Sequence, residues 1–102
     1  MEKVKIFVGV IVTPLLRPLI EGLELSIKPV ECHQPDSSVQ FLDVCLVSCT
    51  KIHLDEAGFL RLEFDAATRK RTEGAASMAI PTQAVAWVLH ADAESKPPIG
   101  FQ

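Results

Sequence analysis

The chain has 102 residues, enough for one domain with a modest core and little stability in reserve. Its net charge of -3 and pI near 5.5 argue against nucleic acid as the default partner, because phosphate neutralisation needs clustered Lys and Arg. Three cysteines, at 32, 45 and 49, are an odd count that fits no disulfide framework, and no Asn is present to accept an N-linked glycan.

Met1 to Lys5 is partly basic and Ile6 to Val12 is apolar, a faint likeness to a signal peptide. Glu2, the short β-branched run and the lack of an Ala-x-Ala site favour a strand instead. Val4 to Val12 is apolar on both parities, as in a strand covered on both faces. Thr13-Pro14 offers an N-cap, and Leu15, Leu16, Leu19, Ile20 and Leu23 follow at helical spacing, ending at Gly22. Pro18 opposes this short helix by removing a backbone bond. Leu23 to Lys28 alternates as a half-buried strand, and Pro29 marks an edge or an end. Gln34 to Ser38 is a loop, and Val39 to Leu54 is a strand long enough to bend. Asp55 to Gly58 is a hairpin turn, with Gly58 free to take a positive φ. Phe59 to Asp65 alternates again, with Leu60, Leu62 and Phe64 inward. Ala66 to Ser77 reads as a polar, basic loop. Ser77 to Ile80 and Ala84 to His90 are short strands across a tight turn at Pro81-Thr82-Gln83, and Val85, Trp87 and Leu89 share a face. Residues 1–93 are thus one β-rich domain, and Glu94 to Gln102, with Lys96-Pro97-Pro98 and Gly100, is an extended tail.

The expected fold is mostly β: a five-stranded, strongly bent antiparallel sheet with one short helix. From Leu23 to His90 its meander resembles the small SH3-like or Sm-like open barrels. The resemblance is one of topology. The Arg-Gly with which Sm proteins contact RNA near their fourth strand is replaced here by Met78-Ala79-Ile80-Pro81, so no functional residue carries over. An α+β sheet carrying the Thr13–Gly22 helix is the rival architecture.

Candidate chemistry is sparse. Cys45, Cys49 and His53 tempt a zinc reading, but residues four apart on a strand lie about 13 Å apart, too far for ligands of one ion. Cys45 and Cys49 are instead expected as small buried hydrophobes, and no metal is expected. A thiol–imidazole pair drawn from these cysteines, or from Cys32, with His33, His53 or His90 has no local support. Five scattered glycines build no phosphate loop or Rossmann fingerprint, so no cofactor is expected either. Asp43 interrupts an apolar run and is expected to cap a bend, or else to sit in a cleft with a shifted pKa. Arg69-Lys70-Arg71 is the basic cluster, suited to a phosphate or an acidic partner, or simply to a solvated loop guarding an edge. Trp87, the sole Trp, belongs to the core or, if exposed, to an interface.

Counting its five glycines, the chain is about 53% apolar, above the roughly 45–50% usual for soluble domains. A symmetric partner would cover the surplus. The expectation is therefore a cytoplasmic, homo-oligomeric binding or assembly domain, not enzymatic, offering a pocket or groove to a small molecule or protein partner. No stretch is long enough for a membrane helix. The alternatives are a nucleic-acid-binding barrel using residues 69–71, and a small enzyme with an inter-subunit acid–base or thiol site.

Overall fold

The computed structural model describes residues 4–92; the tail expected from Glu94 to Gln102 lies outside the described residues. The fold is mostly β. Among the described residues six strands form one open antiparallel sheet: β1 (Val4–Ile11), β2 (Ile27–His33), β3 (Val39–Leu54), β4 (Phe59–Phe64), β5 (Ser77–Pro81) and β6 (Val85–Asp92). Two short helices accompany it, α1 (Arg17–Gly22) and α2 (Ala66–Arg71). Five strands follow one path, β5-β4-β3-β1-β6, and β2 pairs with β3 off that path. Among the described residues the sheet has six strands, one more than the five expected, because the N-terminal β1 is inserted between β3 and β6. A single 3-10 turn (Thr82–Ala84) joins the outer strands β5 and β6, so the sheet curls to bring its two edges together at that end.

β3 organises the molecule. Cys45 pairs with Val10 on one side and Ile27 on the other, and Cys49 pairs with Ile6 on one side and Phe64 on the other. One edge of β3 is therefore lined by β1, and the opposite edge is shared by β2 and β4. The register shift between Cys49 and Lys51 supplies the bend expected of so long a strand.

One face of the curled sheet carries the main core. Ile6, Val8 and Val10 pack with Cys45, Val47 and Cys49, with Leu60, Leu62 and Phe64, and with Met78 and Ile80. Ile20 of α1, fully buried, closes it together with Leu25. The opposite face of β1 and β3 is covered too: Phe7 and Val44 are buried without belonging to that cluster. This fits the two-sided apolar pattern of β1.

The helices depart from expectation in instructive ways. Thr13 accepts from the Leu16 N–H through both its carbonyl and its hydroxyl, forming a turn, and the helix proper starts only at Arg17. Pro18 then falls in the first helical turn, where its missing N–H costs nothing. Leu23 ends the helix, Glu24 takes a φ of 57°, and β2 begins four residues later than the alternation suggested. Pro29 lies inside β2, which is an edge strand and tolerates it. The basic segment expected as a loop is helix α2, capped by Asp65, whose carboxylate accepts the Thr68 N–H at 2.8 Å. At the β3–β4 hairpin, Gly58 has the positive φ (84°) that the turn requires.

Candidate functional site

On the edge of β3 that β2 and β4 share, β2 stops at Cys45 and β4 stops at Cys49. Leu46 to Ser48 lies between them, outside both ladders. The Ser48 carbonyl faces this gap and accepts the Asp65 N–H (3.3 Å) and the Thr68 hydroxyl (3.2 Å). Strand alternation directs the N–H groups of Leu46 and Ser48 toward the same edge. A cleft of about 170 Å³ opens here, lined by Lys5 and Phe7 of β1, Ser26, Leu46 and Ser48, and Asp65 with Arg71 of α2.

The cleft is mixed in character but biased in charge. Asp65 is already committed: the Ser48 hydroxyl donates to one carboxylate oxygen and the Thr68 N–H to the other. Partial burial would raise its pKa, but those hydrogen bonds and the charge of Lys5 more than offset this and hold it below the usual aspartate value. The two cations are less committed. Lys5 lies over the Phe7 ring, 5.3 Å from its centre, and the Arg71 guanidinium donates a long 3.4 Å bond to the Glu24 carbonyl. Neither Lys5 nor Arg71 forms an ion pair within 4.0 Å among the described residues.

The residues singled out from sequence are not brought together. α2 separates its three cations: Arg71 lines the cleft, whereas Arg69 and Lys70 border a shallow, open depression with Ala66, Ala67 and Gly74. Asp43 receives the Arg17 guanidinium, which also reaches Glu21, and so ties α1 to β3. The Asp43 hydrogen bond raises the Arg17 pKa against a smaller opposing effect of burial. Trp87 is half-buried on β6 and covers Gly9 of β1, where a Cβ would meet the indole at 2.6 Å. Lys5, Ser26, Ser48 and Asp65 line the cleft without belonging to the residues that the sequence singles out. Nothing in the local sequence marks them, since strand pairing alone makes them neighbours.

Cys45 and Cys49 lie two pleat repeats apart on the core face of β3, with Val47 between them, and burial pushes both thiols up to about 12. His53 is exposed near the end of β3. Among the described residues no group of three His, Cys, Asp or Glu side chains is placed to hold a metal ion. Native protein treated with a maleimide is expected to label at half-buried Cys32 and to spare Cys45 and Cys49 until it unfolds. Mass spectrometry of the labelled sites checks this, and rapid labelling of Cys45 or Cys49 in the native state would show that β3 opens locally.

No helix among the described residues is long and apolar enough to cross a membrane. Comparison with protein families, with curated proteins and with solved structures finds no match.

Proposed function

We propose that this chain is a small cytoplasmic binding and assembly domain, not an enzyme, in which copies associate and each presents the β2–β4 cleft to a small anionic ligand or to an acidic group of a protein partner. The observation that carries this reading is that Lys5 and Arg71 both line the cleft, with no ion pair to a carboxylate within 4.0 Å among the described residues, on the strand edge toward which alternation turns the N–H groups of Leu46 and Ser48. Cations, hydroxyls and strand-edge N–H groups converging on one concavity suit a carboxylate or phosphate. The thiols of Cys45 and Cys49, buried and held protonated, lend no support to nucleophilic chemistry.

Titration with inorganic phosphate and with acetate, followed by amide NMR, tests the cleft. Saturable shifts are expected at Lys5, Leu46, Ser48 and Arg71. Arg71→Ala is expected to weaken them about tenfold or more, the effect of losing a charge-assisted hydrogen bond. Arg69→Ala, altered on the other side of α2, is expected to leave them unchanged. Equal losses in both variants would point instead to a diffuse basic surface, the property the nucleic-acid alternative needs, and binding that falls steeply with salt would strengthen that alternative.

A further inference from the structure

An open sheet has bare edges, and this one treats them unequally. β2 carries Lys28, Pro29 and Glu31, all of which discourage pairing with another chain. β5 is only five residues long and ends in Pro81. β6 is eight residues long, Val85 to Asp92, with no Pro, Lys or Arg and only one acidic residue, at its end. Among the described residues β6 pairs with β1 alone. Val88, Leu89 and His90 are exposed, the two apolar ones at 37% and 45%.

The bonding direction along β6 follows from the sheet. Asp43 offers its carbonyl to Val12 beyond the end of β1, and Ser48 offers its own to Asp65 on the opposite edge. Odd-numbered residues of β3 therefore bond toward β1, and Cys45, Val47 and Cys49 exchange bonds with Val10, Val8 and Ile6. Lys5, Phe7 and Gly9 are left to bond with Ala91, Leu89 and Trp87 of β6. The N–H and C=O groups of Val88 and His90 consequently point outward from the sheet.

We infer that β6 is the self-association edge of this protein, and that its occupant is β6 of a second copy, antiparallel about a two-fold axis at Leu89. This rests on the assembly half of the proposed function and names its surface. In that register each Val88 faces the partner's His90, and each such pair exchanges both backbone bonds. Leu89 meets its own counterpart in the close, non-hydrogen-bonded position, so the exposed leucines cover one another. The strand is self-complementary: no like charges oppose one another from Trp87 to Ala91, as an isologous contact requires. Pairing also joins the two sheets into one continuous sheet.

Val88→Pro separates this contact from the fold. Its N–H serves only the outer edge, so proline deletes the intermolecular donor and leaves the bonds to β1 in place. Light scattering coupled to size exclusion is expected to give a dimer mass for the wild type. Val88→Pro, which removes one donor from each copy, is expected to weaken association about tenfold. Leu89→Lys, which sets two ammonium groups opposite each other at the axis, is expected to run as a monomer with an unchanged circular dichroism spectrum. If Val88→Pro unfolds, Leu89→Lys alone decides. A wild-type monomer at high micromolar concentration overturns the inference, as does a Leu89→Lys variant that keeps the dimer mass. A monomer whose Val88 and His90 amides resist hydrogen exchange overturns it too, by showing that the chain covers its own edge. Phosphate titration of the Leu89→Lys monomer keeps the two readings apart, since the cleft does not include Leu89.

Discussion

Replacing Phe7 with alanine is expected to destabilise the protein by about 3–5 kcal/mol, the range for a buried Phe truncated in a core. Phe7 is 1% exposed, yet it lies on the face of β1 turned away from the main cluster. Its register neighbours are Ser48 on β3 and Leu89 on β6, and Lys5 covers its ring at 5.3 Å. Domains of this kind retain only about 5–15 kcal/mol in total, so a loss of this size removes much of the margin. The value should fall toward the lower end of the range, because this layer is thin and a cavity beside the cleft can admit water. Urea unfolding measures it: the midpoint should drop with little change in slope, and Phe64→Ala in the main core gives the yardstick. A loss below about 1 kcal/mol, typical of surface positions, would mean that the second face contributes no packing layer. The same variant removes a wall of the cleft, so weaker phosphate binding should accompany it if the cleft is a ligand site.

Where the chain's own periodicity is strong, sequence and structure agree closely. Val39 to Leu54 is one strand with the expected bend, because β-branched residues favour strands and its apolar residues on both parities are buried where β1, β2 and β4 pair with it. The Gly58 turn and the two-sided burial of β1 were legible for similar local reasons. Leu23 to Lys28 misled because its alternation is an accident of three different structures. Leu23 caps a helix, Glu24 is left-handed, and Leu25 drops into the core before β2 begins. α2 was hidden by its charge, although Asp65 followed by two alanines, with Gly74 just past the end, is a helix-capping signature. The cleft was illegible for a deeper reason. Lys5, Ser26, Ser48 and the two ends of α2, Asp65 and Arg71, come from four separate segments, and only the pairing of β1 with β3 and the staggered endings of β2 and β4 along the other edge of β3 gather them.

Gly9→Ala should run against the ordinary sign for such a change. Glycine in a strand is entropically poor, and alanine there would usually gain roughly 0.5–1 kcal/mol. Here an added Cβ would lie 2.6 Å from Trp87 Cε2 and 2.9 Å from Nε1, closer than real contacts allow, and at a tight 3.0 Å from Cδ2. The indole is rigid and covers the glycine directly, so it must tilt away or β1 and β6 must separate. Overpacking of this kind costs about 1–3 kcal/mol. The strain falls beside the register shift between Gly9 and Val10, where the β1–β6 ladder is already irregular and least able to absorb it. A double-mutant cycle isolates the clash: in a Trp87→Val background the ring is gone, and Gly9→Ala should become neutral or stabilising. Wild-type Trp fluorescence should also move to longer wavelength in Gly9→Ala as the half-buried indole is pushed into water. If Gly9→Ala stabilises the wild type, the close approach of Trp87 to β1 does not hold in solution. If it destabilises equally in both backgrounds, the glycine is needed for the bulge and not for the ring. A destabilisation that disappears with Trp87 shows that one indole over one glycine fixes how closely β6 docks on β1.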